Sequence, residues 1–121
     1  VTPAAWLKLS LSLPETTAGS HMGHGDVRVA GKIFSSPADR PSPGKTGGAA
    51  YLKLTPDQQK MLCEAEPEMF APVKGGWGIK GATWIYVEKA DAKTAKSALW
   101  MAWRNAASKT LLKQHPPAGS V

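Results

Sequence analysis

Apolar positions along this chain recur with a helical period in three stretches and with a period of two in the stretches between them. Thr2-Pro3 reads as an N-cap followed by proline at the first helical position, so a helix starts there and runs to about Ser12, before Pro14. Trp6, Leu9 and Leu13 mark its inner side. From Asp26 to Phe34 the pattern is extended, with Val27, Val29 and Ile33 on one face and Arg28, Ala30, Lys32 and Phe34 on the other. Gly31 is the position at which a bulge or turn would flip that register. Ala50, Leu52 and Leu54 alternate with Tyr51 and Lys53 as a further strand.

Thr55-Pro56-Asp57-Gln58 then opens a helix with a capping box, closed by Pro67, with Met61, Leu62 and Ala65 on its inner side. A short extended piece from Met69 to Val73 leads into the glycine-rich Lys74–Gly81. The run Thr83-Trp84-Ile85-Tyr86-Val87 follows, β-branched and aromatic, so this region reads as a β-hairpin whose tip needs glycine for positive φ angles. Asp91 caps the longest helix, about Ala92 to Lys109, with Ala95, Leu99, Ala102, Trp103 and Ala106 as one buried stripe. Trp100 falls on its flank, where Arg104, four residues on, is placed to cover the indole.

Strands and helices of this kind need a shared core, which predicts an α+β two-layer sandwich: one antiparallel sheet of about five strands with three helices on one face. Val27, Val29, Ile33, Leu52, Leu54, Ile85 and Val87 are expected to face the helices. Arg28, Lys32, Tyr51, Lys53, Trp84 and Tyr86 then share the opposite face. Residues 1–113 are read as one domain and 114–121 as a frayed tail. Segment 35–48, rich in proline and glycine, is read as a flexible loop.

Charge sharpens this picture. The net charge of +6 is uneven. Residues 51–68 carry Lys53 and Lys60 against Asp57, Glu64, Glu66 and Glu68, whereas residues 69–121 carry eight basic residues against Glu88 and Asp91. A field of that sign attracts nucleic acid, an acidic protein or an anionic surface, and it also serves solubility. The lone Cys63 cannot form an internal disulfide and reads as a small apolar filler. No apolar run approaches the roughly 20 residues of a membrane helix. A soluble, cytoplasmic protein without membrane contact is therefore expected.

Motifs for catalysis fail on context. Gly76-x-Gly78-x-x-Gly81 spells the dinucleotide fingerprint, yet a strand rather than a helix follows it. Gly44-Lys45-Thr46 resembles the end of a P-loop, but Asp39 stands where that motif needs glycine. His21 and His24 point to opposite faces of an extended segment and gather no further ligand. Glu64, Glu66 and Glu68 read as a solvated helix edge. No enzyme activity, metal or cofactor is expected.

Four segments, His24–Phe34, Lys53–Gln59, Gly75–Gly78 and Ala102–Asn105, resemble the MmcQ/YjbR family in the same order, and the likeness extends from Leu9 to Leu112. The resemblance implies an α-β-β-β-α-β-β-α order, similar to secretion-chaperone and frataxin-like folds, and a proposed "double wing" DNA-binding role.

The candidate nucleic-acid-binding residues are Arg28, Lys32, Lys53, Lys74, Trp77, Lys80, Trp84 and Tyr86, because aromatics interleaved with Lys and Arg on an open sheet stack bases and neutralise phosphates. The leading expectation is a non-enzymatic nucleic-acid-binding module, DNA foremost, acting through basic hairpins and this face. The alternative is a protein-interaction or chaperone-like module whose open face mediates homodimerisation or partner docking. Two readings of Trp77 stand open: the tip of a wing between Lys74 and Lys80, or a plug folded back onto the final helix.

Overall fold

The computed structural model describes residues 1–21, 23–41 and 47–116. Helix α1 (Pro3–Leu11) starts at Thr2, whose hydroxyl accepts from the Ala5 amide at 3.1 Å, and Pro3 costs nothing at a position with no intrahelical donor to lose. A hairpin follows: β1 (Thr16–His21) and β2 (His24–Val29). Strand β2 then turns into β3 (Lys32–Ser35) through Ala30 and Gly31, both at positive φ (52° and 75°), the backbone of a tight two-residue hairpin.

This turn corrects the expected faces of 26–34. The stretch is two strands rather than one, and the register slips between Val27 and Arg28, so that Arg28 pairs with Ile33 while Val27 pairs with Ser35. Ile33 consequently lies on the open face beside Arg28, and Phe34 is buried in the core.

Strand β4 (Arg40–Pro41) pairs with one end of β5 (Gly48–Lys53). The segment read as a flexible loop is thus tied down over residues 35–41. The Trp6 indole donates to the Ser36 carbonyl at 2.9 Å, the Tyr51 amide donates to the Ser36 hydroxyl at 2.9 Å, and Ala38 is 6% exposed. Residues 42–46, including Gly44-Lys45-Thr46, lie outside the described residues.

Helix α2 (Pro56–Ala65) carries the expected capping box: Gln58 N donates to Thr55 Oγ1 at 3.2 Å, and Thr55 N donates to Gln58 Oε1 at 2.9 Å. Its inner side is Leu62 and Cys63. Met61 and Ala65, expected there, are exposed, because α2 lies at the β6 end of the sheet rather than across its centre. Burial pushes the Cys63 thiol up, as befits an apolar filler. Strand β6 (Phe70–Pro72) leads to a single helical turn, α3 (Gly76–Ile79), and then to β7 (Ala82–Tyr86). Helix α4 (Ala92–Ala106) buries the expected stripe together with Ala98.

That last helix ends short of Lys109. Ser108 caps a separate α5 (Lys109–Gln114) by accepting from the Leu111 amide at 3.2 Å. Arg104 does not cover Trp100: it donates to the His115 carbonyl at 2.8 Å, while Trp100 meets Trp103 edge-on. The His115 ring also packs edge-on against Trp103, so the chain is docked at least that far.

The sheet is antiparallel, in the order β1-β2-β3-β5-β7-β6 with β4 beside β5. The seven strands among the described residues exceed the expected five chiefly through β1, a polar edge strand, and the two-residue β4. Helices α1, α2 and α4 contribute to one core on one face, around Trp6, Phe34, Leu52, Ile85, Leu99 and Trp103. The architecture is the expected α+β two-layer sandwich. No helix among the described residues is long and apolar enough to cross a membrane.

Candidate functional site

Alternation along the strands sends every second side chain away from the helices. In β5, Ala50 and Leu52 are buried while Tyr51 and Lys53 point to the other face; in β7, Thr83 and Ile85 are buried while Trp84 and Tyr86 point away. Tyr51 and Trp84 are direct cross-strand partners, so two aromatics are placed side by side on that face.

Around them lies a cleft of about 630 Å³, within the range of roughly 300–1,000 Å³ typical of small-ligand sites. Arg28 and Ile33 contribute from β2 and β3, and Lys32 from beside the Ala30-Gly31 turn. Arg40 arrives on β4, with its guanidinium carbon 5.8 Å from the centroid of the Trp84 ring. A second hollow of about 440 Å³ adjoins the first, sharing Tyr51, Lys53 and Trp77 and reaching Lys80 and Asn105.

Trp77 stands on α3. It is 66% exposed, and its ring leans on Tyr51 with centroids 6.5 Å apart and planes inclined by 55°. The plug reading is therefore overturned: Trp77 lies over the open face of the sheet, away from the core. The expected glycine tip is a helical turn because Ile79 and Lys80 amides return to the Gly75 and Gly76 carbonyls, each at 3.2 Å. Helix α2 holds that turn, since the Gln59 amide donates to the carbonyls of Gly78 and Ala82 at 2.9 and 2.8 Å. A turn tied to α2 at Gly78 and just beyond its end at Ala82 presents Trp77 in a fixed place.

Arg28 is less available than its place in the cleft suggests. Its Nε and Nη2 donate to the two oxygens of Asp26 at 2.8 and 3.0 Å, and Asp26 is 4% exposed. That hydrogen bond, with the carboxylate charge, raises the guanidinium pKa further and commits it to a fixed partner. Burial pushes the Tyr51 phenol up.

Of the eight candidate residues, Arg28, Lys32, Lys53, Trp77 and Trp84 come together in the cleft, and Lys80 joins through the second hollow. Lys74 and Tyr86 line neither. Arg40 and Ile33 were missed as site residues. The first hid in a segment without periodicity, and the second was turned outward by the hairpin.

The YjbR family pattern matches residues 11–105. The chain belongs to the YjbR family. No curated protein and no solved structure matches it. The YjbR match includes every strand of the cleft floor and ends near the close of α4, at Asn105, whose amide donates to the Lys53 carbonyl at 2.8 Å beneath the second hollow.

Proposed function

We propose that this YjbR-family chain is a non-enzymatic nucleic-acid-binding module whose contact surface is the cleft on the open face of the sheet. The observation that carries this reading is the convergence of Tyr51, Trp77 and Trp84 with Lys32, Lys53 and Arg40 around one concavity. Aromatic faces stack bases of any identity, and cations beside them neutralise the connecting phosphates. The formal charge of +6 adds long-range attraction for a polyanion. Asp26, the carboxylate in the cleft, is committed to Arg28, which supports binding over acid–base chemistry. The DNA-binding role suggested for the family points the same way, as analogy only.

The test is fluorescence anisotropy of a labelled oligonucleotide at two salt concentrations, comparing the native chain with Lys32→Ala/Lys53→Ala. The double variant should bind more weakly whatever the base sequence. Its salt slope should fall by roughly 0.7–0.9 per lost phosphate contact. Equal affinity and equal slope would sink the reading.

A second reading rests on α3, where Trp77 and Ile79 are 66% and 81% exposed. Two large exposed apolar side chains on one turn support protein docking or self-association there. Sedimentation across a concentration series separates the two: an Ile79→Lys change should abolish self-association while leaving oligonucleotide binding in place.

A further inference from the structure

We infer that the ligand is single-stranded and straddles Trp77, with consecutive nucleotides divided between the two hollows. This deepens the nucleic-acid reading above and rests on it. The hollows, about 630 and 440 Å³, meet at Tyr51, Lys53 and Trp77. Each has the volume of a small-ligand site, which fits one unpaired nucleotide with its base turned inward, a posture open to a single strand and costly for a base held in a paired stack.

Trp77 acts as the partition. Its ring already touches Tyr51 at 6.5 Å and 55°, an aromatic contact with no room for a base between the two. A base therefore stacks on the free surface of the indole, and its neighbour continues past the edge. The turn beneath is clamped by Gln59, so the partition stays in place when the strand is absent.

The cations follow the same path. Lys32 and Arg40 serve the larger hollow, Lys80 serves the smaller, and Lys53 lies at their junction, placed for the phosphate that joins the two nucleotides. Arg40 lies against one side of the Trp84 ring at 5.8 Å, which holds its guanidinium in the cleft beside that aromatic. Arg28, paired with Asp26, is left out of this phosphate track.

The experiment titrates the intact chain, at one fixed ionic strength, with thymidine monophosphate, the thymidine dinucleotide, an oligothymidylate of about eight residues and a blunt duplex of the same length. Tryptophan fluorescence reports binding. The dinucleotide should bind at least about fivefold more tightly than the monophosphate, the lower end of what one base–aromatic stack contributes. The duplex should bind more weakly than the single strand. Trp77→Ala should erase the step from monophosphate to dinucleotide, and Trp77→Phe should keep part of it. Thermal melts of both variants should match the native chain, since the indole is mostly exposed. A dinucleotide no tighter than the monophosphate, a duplex as tight as the single strand, or an unchanged step in Trp77→Ala would each overturn the straddling geometry while leaving nucleic-acid binding intact. Failure of every probe to bind would remove this inference together with the reading beneath it.

Discussion

Gly76 and Gly78, two residues apart in α3, should respond to alanine with opposite signs. A Cβ built on Gly76 meets nothing within 4 Å. Alanine there limits the freedom of the unfolded chain and should stabilise by about 0.5 kcal/mol. A Cβ on Gly78 would fall on the Val73 carbonyl oxygen, a backbone atom without a rotamer by which to retreat. Val73 is itself held, because its amide donates to the Ala82 carbonyl at 3.0 Å. Overpacking costs about 1–3 kcal/mol, and the immobile neighbour puts Gly78→Ala near the upper end. At roughly 4 °C per kcal/mol for a chain of this length, the melting temperature should fall by about 10 °C in Gly78→Ala and rise by about 2 °C in Gly76→Ala. Circular dichroism at the helical band gives both midpoints. Oligonucleotide affinity should fall only in Gly78→Ala, because that turn carries Trp77 and its carbonyl accepts from Gln59. Equal melting temperatures in the two variants would refute the close-approach argument.

Gln59→Ala removes the donor to two backbone carbonyls and should cost about 1–3 kcal/mol in urea unfolding, with weakened oligonucleotide binding as α3 loosens. Ser35 is fully buried, and its hydroxyl has no partner among the described residues, so Ser35→Ala should leave the unfolding free energy unchanged or raise it by about 1 kcal/mol in urea titrations. Tyr51 carries a pH dependence. Burial raises its folded-state value above the ordinary 10.0, so the folded chain holds this proton longer than the unfolded one. Its contribution to stability is full below pH about 10 and is lost as pH climbs through the folded-state value, and Tyr51→Phe should flatten that decline in a pH series of melts.

Much of the framework is legible where local signals agree with the tertiary fold. Thr2-Pro3, the Thr55–Gln58 capping box and Asp91 each mark a helix start by supplying an acceptor to an otherwise orphaned amide. The alternation at 50–54 and 83–86 assigned Tyr51 and Trp84 to the open face. What stayed hidden depends on long-range pairing. Strand β1, Thr-Thr-Ala-Gly-Ser-His, lacks apolar alternation and lies at the sheet edge, paired among the described residues with β2 alone. Ala30-Gly31 lacks the Asn-Gly spelling of a hairpin turn, so the two strands read as one and the faces of Ile33 and Phe34 were exchanged. Arg40 reaches the site through a two-residue strand too short to have a period. One signal was available and carried information: Asp26 and Arg28, two apart in a strand, share a side, which foretells their ion pair.

The five tryptophans supply the most direct test of the cleft as a nucleic-acid surface, through the indole N–H resonances of labelled protein titrated with oligothymidylate. Trp103 is fully buried and donates to the carbonyl of Pro14, which lines neither hollow, at 3.0 Å, so it serves as the internal reference. Trp77 and Trp84 line the cleft. The account requires the Trp77 and Trp84 signals to move together with a common binding curve while that of Trp103 stays in place. Signals that all stay fixed at saturating oligonucleotide, or movement confined to Trp100 on α4, would contradict it.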